Sequence, residues 1–204
     1  MSEVYDIKGC PQFSSFLYDC WGQDPEYHNK IRALREALHA TLCGTSMYFR
    51  RAILLCGEIA SGKTQLLRII RALAPTGSVS EVSPRYFSNA FEVARLNGKV
   101  ANIYDGLSKF DIKTIRSEKL VSFINGDIQL GCTKGEPPFQ FRPECVHWFA
   151  LDQGLKLADD LSTQLIILKF NHRYPETSRV TDIGDKIATA EVDEILAWVK
   201  GARS

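Results

Sequence analysis

Residues 51–75 read RAILLCGEIASGKTQLLRIIRALAP, and no other stretch limits the fold so tightly. Ala52–Cys56 is an unbroken apolar run, as a strand buried on both faces requires. The residues from Lys63 onward follow the period of an amphipathic helix. Between them stands Gly57-Glu58-Ile59-Ala60-Ser61-Gly62-Lys63-Thr64, a complete G-x-x-x-x-G-K-T. That spacing makes a tight turn whose backbone N–H groups converge on phosphate oxygens, and the two glycines allow geometries that a Cβ forbids. Lys63 supplies a point charge for the β- and γ-phosphates, and the Thr64 hydroxyl a ligand for Mg²⁺. The helix behind the loop aims its orphan N–H groups and positive dipole end at the same anion. Eight residues alone can match by chance; a strand before and a helix after make this a nucleotide-binding P-loop.

Composition sets outer bounds. A chain of 204 residues suits one domain with a small appendage, and 45% hydrophobic with 24% charged residues is ordinary for a globular protein. The formal net charge is +1, so any contact with nucleic acid has to be local. No run reaches the ~18 apolar residues of a membrane span, and Met1–Cys10 lacks a signal-peptide core. The six cysteines form no C-x-x-C pair, which argues against zinc, and reduced thiols fit a cytoplasmic protein.

Taken in order, residues 1–12 are polar and irregular, a loose arm. Phe13, Phe16, Leu17 and Cys20 have helical spacing, and Asp24-Pro25 opens a second helix that runs to about Cys43 with Ile31, Leu34, Leu38 and Leu42 on one stripe. This helical pair either packs onto the P-loop domain or forms a collar touching neighbouring subunits. Residues 79–82 suit a short strand, and residues 83–91 a loop leading into a helix. Residues 99–105 form a second buried strand ending in Asp105, where a P-loop fold places the carboxylate that supports Mg²⁺. A helix over 110–124 precedes a hairpin over 128–141, whose Lys134-Gly135 tip suits a phosphate contact or is a solvated turn. Residues 145–151 and 165–170 are further strands, the first followed by Asp152. His147 lies inside its strand as a core residue rather than a ligand. A helix over 189–200 closes the chain.

These parts, in this order, resemble the helicase domain of phage and plasmid primase–helicases, the virus-type branch of superfamily-3 helicases within the AAA+ P-loop class. GEIASGKT matches the Walker A position, KVANIYDGLS the Walker B strand, FINGDIQLGCTKGEPPFQFRPEC the hairpin segment, HWFALDQ the sensor strand and LIILKFNHRYPE the strand after the family's arginine pair. The resemblance covers residues 13–201. It implies an α/β fold with a central parallel sheet flanked by helices: an N-terminal arm and helical collar segment over 1–47, then a P-loop NTPase domain over 48–204. Residue by residue, it implies Lys63, Thr64 and Asp105 for ATP and Mg²⁺, and Lys134 for DNA in a ring's channel.

The departures matter as much. The acid that usually follows the Walker B aspartate is here Gly106, the sensor asparagine is Asp152, and the arginine pair falls at Thr163 and Gln164. An arginine finger alone is worth ~10³–10⁵ in rate, and a lost water-activating acid adds to that. The expectation is retained Mg²⁺–ATP binding with weak or absent turnover, in phage, plasmid or prophage DNA replication in a bacterial cytoplasm. Expected partners are single-stranded DNA or a fork duplex, and a homo-oligomeric ring or another replication protein; no membrane is expected. The alternative is an active helicase, with Asp152 replacing the missing acid and Arg142, Arg173 or Arg179 the finger. A small-molecule kinase shares only the P-loop: such kinases begin close to the loop strand and carry an arginine-bearing lid, which this chain does not show.

Overall fold

In the computed structural model, residues 7–108, 111, 114–115, 118–152, 164–178 and 180–201 are described. Five strands form a parallel sheet: β1 (Ala52–Gly57), β2 (Val79–Ser80), β3 (Ala101–Tyr104), β6 (Val146–Leu151) and β7 (Leu165–Phe170), in the order β2-β3-β6-β1-β7. The β1 strand is central, with Leu54 paired to Phe149 of β6 and Ile167 of β7. Alternation along β1 splits the core in two. Ile53 and Leu55 face one apolar layer, Ala52, Leu54 and Cys56 the other. Because both faces are covered, β1 reads as continuous apolar sequence rather than as alternation. The antiparallel hairpin β4 (Gln129–Gly131) and β5 (Phe139–Phe141) forms a separate two-stranded sheet. The expected α/β P-loop NTPase architecture is the one found.

The first layer holds α1 (Pro11–Trp21), α2 (Tyr27–Leu42), α4 (Lys63–Leu73) and α7 (Ile183–Lys200). Short α3 (Ser46–Phe49) leads into β1; α5 (Ala90–Ala94) and α6 (Glu118–Ile124) lie on the opposite side, where Val93, Leu120 and Phe123 join the second layer. The N-terminal pair is built into the main core through Phe13, Leu17, Trp21, Ile31, Leu34 and Leu38. Two sequence expectations need correction. Residues 7–12 are not a loose arm: Ile7 and Cys10 are buried, and α1 begins at Pro11. The fixed φ of proline suits a first helical position. The closing helix starts at Ile183, not at 189, and breaks its φ/ψ at Glu191. Its first turn hides in the polar run 181–186 because Gly184 is needed there: a Cβ would stand 2.6 Å from the Gln65 carbonyl oxygen. The expected helix over 110–124 is helical at the described residues 111, 114–115 and 118–124.

At its kink, Glu191 turns a buried carboxylate onto α1, accepting the Gln12 and Phe13 backbone N–H groups at 2.8 and 2.9 Å. Two orphan donors of a helix start are thereby satisfied from 179 and 178 residues away.

Inside the sheet, the Asn102 amide bonds the Val82 N–H and carbonyl and donates to His147 Nδ1 at 3.2 Å. His147 is therefore an acceptor at Nδ1, packed among Phe87, Phe123 and Phe149. Burial pushes its pKa from 6.5 down to about 3. The unfolded chain takes a proton there below about pH 6.5 while the folded chain does not, so stability is full above that pH and lost as pH falls toward 3. Chemical unfolding at pH 7.0 to 5.0 should show this loss, and His147→Phe should flatten the slope in that window.

Candidate functional site

The phosphate loop spans the carboxyl end of β1 and the start of α4, and its geometry is set by close contacts. A Cβ on Gly57 would lie 2.2 Å from the Phe170 carbonyl oxygen, so only glycine lets β1 end against β7. Gly62 has φ +101° and sits against Cys20 of α1, where a Cβ would be 2.8 Å from Sγ. Burial pushes the Cys20 thiol up to about 12, so it remains a thiol, 3.8 Å from the Ser61 carbonyl oxygen and 3.7 Å from the Tyr174 hydroxyl. Ala60 is left-handed at φ 62°, and its carbonyl accepts the Tyr174 N–H at 3.0 Å. Helix α1 and residue 174 thus buttress the loop from outside.

Lys63 is buried at the start of α4. Its ammonium donates to the Glu58 and Gly57 carbonyls at 2.6 and 3.0 Å and to Ser61 Oγ at 3.2 Å. Asp152 pairs with it at 3.0 Å. The Thr64 hydroxyl donates to Asp105 Oδ2 at 2.7 Å, which joins the two residues expected to serve Mg²⁺. Since β6 lies between β1 and β3, Asp152 emerges from the strand between those of Lys63's loop and Asp105. Gly106, which the resemblance sets in the place of a second acid, has φ +81°, and the next residue is pinned by Leu107 N–H to the Ala150 carbonyl at 2.9 Å. The backbone there is shaped for glycine.

A cavity of about 730 Å³ opens from the loop, a volume in the range of small-ligand sites. Lys63, Thr64 and Asp152 line one part of it; Phe16, Ile59, Val180 and Ile183 supply apolar wall, and Gln12, Ser15 and Asp19 of α1 a polar edge. Sequence reasoning missed this wall. Its residues come from α1, residue 174 and residues 180–183, far apart in the chain, and no local pattern marks them. The wall is braced: Gln65 Nε2 and Arg68 Nη1 both donate to the Thr181 carbonyl at 3.0 Å, and Gln65 Oε1 accepts the Gly184 N–H at 2.9 Å. The donor set fits a nucleotide with Mg²⁺: a glycine-shaped loop, an ammonium, a hydroxyl–carboxylate pair, a helix start and an apolar wall.

The remaining expected residues lie elsewhere. Lys134 and Gly135 form an exposed hairpin tip, closed by Glu136 N–H to the Thr133 carbonyl. Arg142 holds the hairpin's base, donating to the Gly126 carbonyl at 2.8 Å. Arg173 reaches the loop, 3.8 Å from the Glu58 carboxylate. Gln164 stands just before β7, at the end of the sheet away from the loop, its carbonyl accepting the Ala52 N–H. Thr163 and Arg179 lie outside the described residues.

No protein-family model and no curated protein matches the sequence. Solved structures do. The apo C-terminal region of NrS-1 (305–718) matches with a TM-score of 0.68 at 12% identity over 100% of this chain, and its A form with 0.67 at 12% over 98%. This chain spans about half the length of that region, 47% and 46% in the two cases. JCV helicase matches with 0.43 at 13% identity, over 93% of this chain and 65% of that one, too loosely to carry an argument. Identity this low speaks for fold alone. The chain has the P-loop NTPase fold. Among the described residues no helix is long and apolar enough to cross a membrane.

Two of the left-handed positions, Gly106 and Ala60, give a paired test. A non-glycine residue loses roughly 1–2 kcal/mol there, so Gly106→Ala should destabilise the protein by about 1 kcal/mol, whereas Ala60→Gly should cost nothing. Denaturant midpoints of the two variants check this.

Proposed function

We propose that this chain is a helicase-like, nucleotide-binding module of DNA replication that holds Mg²⁺–ATP and turns it over slowly or not at all. The observation that carries the reading is the contrast on either side of Asp105. Its carboxylate meets Thr64 Oγ1 at 2.7 Å, as a metal-supporting pair should, while the adjoining place for a water-activating acid holds a left-handed glycine. In this reading the backbone N–H groups of 58–64 and Lys63 bind the phosphates, Thr64 and Asp105 hold the metal, and α1 with residues 180–183 encloses the base. Bound Mg²⁺–ATP would supply the phosphoanhydride whose occupancy, or slow cleavage, the protein responds to. Gly106 has no side chain with which to accept a proton or orient water, and the Asp152 carboxylate is engaged by Lys63.

The exposed Lys134 tip supports a contact with the backbone of single-stranded DNA or a fork duplex, and the likeness in fold to the NrS-1 region is compatible with a place in a larger assembly, as a ring or with another replication protein. The setting proposed is the cytoplasm of a bacterial host.

Equilibrium binding and steady-state turnover test the reading. The parent protein should bind Mg²⁺–ATP, Lys63→Ala should abolish binding, and phosphate release should stay near background with single-stranded DNA present. Robust DNA-stimulated hydrolysis would sink the proposal and favour rescue through Asp152. Removing one phosphate contact typically lowers DNA affinity by a few fold and flattens its salt dependence; Lys134→Ala should do both in a titration with labelled single-stranded DNA.

A further inference from the structure

Lys63 has three N–H donors, and the protein already occupies them. Two go to the Gly57 and Glu58 carbonyls, at 3.0 and 2.6 Å. The third goes to Ser61 Oγ at 3.2 Å, and the Asp152 carboxylate stands as an ion pair 3.0 Å from the same nitrogen. An anion thus already stands against the ammonium that a P-loop would offer to a terminal phosphate. The lysine side chain is only 3% exposed, whereas Asp152 is 55% exposed and borders the same cavity as Lys63 and Thr64. A neutral amide at this position could orient a phosphate oxygen or a water without adding charge. An aspartate brings an anion to the same spot.

The surroundings do not compensate. Among the described residues, the other cations touching the loop or lining the cavity are also paired with carboxylates. Arg68 meets Asp185 at 3.0 Å, and Arg173 lies 3.8 Å from Glu58. Each positive charge at the site has an internal anion. What remains for an incoming ligand is the ring of loop N–H groups, the start of α4 and an ammonium whose charge is already partly met by Asp152.

We infer that the Asp152 carboxylate stands in the place of a terminal phosphate and makes this site select nucleoside diphosphates over triphosphates. The inference rests on the nucleotide-binding reading of residues 57–64. A diphosphate fills the loop and leaves the Lys63–Asp152 pair in place. A triphosphate must push the carboxylate off the ammonium or share the ammonium with it, and in both arrangements two anions face each other at short range. Asp152 is in this sense a specificity residue. It acts through its charge and through its hold on Lys63, whether or not any hydrolysis takes place.

The test is calorimetric binding of ADP and of a non-hydrolysable ATP analogue, each with Mg²⁺, to the parent protein, Asp152→Asn and Asp152→Glu. One unfavourable charge contact of this kind is worth roughly tenfold in affinity. The parent should bind ADP about tenfold tighter than the analogue. Asp152→Asn, which keeps an oxygen for Lys63, should tighten the analogue by about the same factor with little change for ADP. Asp152→Glu should keep the parent's preference, which a purely structural role for residue 152 would not predict. A parent that binds the analogue as tightly as ADP, or a ratio that Asp152→Asn leaves unmoved, overturns the inference while leaving the nucleotide site intact. Absence of binding for both ligands, in the parent and in both variants, overturns the nucleotide-binding reading and the inference with it. Should Asp152→Asn fail to fold, the parent's own ratio still decides the first point.

Discussion

One buried ammonium ties the site to the fold. Lys63 joins the end of β1, the turn of the phosphate loop and, through Asp152, the end of β6. An ammonium taken from water without partners is expensive. The loop carbonyls and Asp152 offset that expense, which fixes where the loop can run. Everything around this contact serves to bring β1 and β6 side by side with their carboxyl ends level. The parallel register of β1 with both β6 and β7 does so directly, and the glycine contact of residue 57 against Phe170 closes the sheet at that end.

The rest of the cavity depends on a second set of ties, made by polar groups between distant segments. Glu191 holds the start of α1, and Gln65 and Arg68 hold residues 181–184 to the phosphate-loop helix. The two walls are therefore anchored to α7 and α4, which also share an apolar layer with the sheet. A ligand entering between them would bear on α1, the loop and α7 together. That gives the N-terminal helices a part in the site as well as in the core.

Much of this was legible in the sequence because it is local. The G-x-x-x-x-G-K-T run, the apolar strands 52–56, 145–151 and 165–170, the hairpin around Lys134 and the strand ending at Asp105 each have a pattern of their own, and the structure places each as expected. The sequence also marked Gly106, though not the left-handed backbone that gives the glycine its reason. What escaped was made of long-range contacts. Ile7 and Cys10 look polar by their neighbours and are buried; residues 183–188 look like a loop and are helical because Gly184 packs on Gln65. Asp152 was legible as a carboxylate beside the site, and only its pairing with Lys63 says which way that carboxylate is directed.

A crystal structure of the protein with Mg²⁺ and ADP bears on the central claim most directly, since that claim is geometric: the loop N–H groups and Lys63 bind phosphate while Lys63 stays paired with Asp152. The account predicts a diphosphate cradled by residues 57–64, the base against Phe16 and Ile183, and Asp152 still on the Lys63 ammonium. A diphosphate bound with Asp152 turned away from Lys63, or a nucleotide seated anywhere other than this loop, would contradict it.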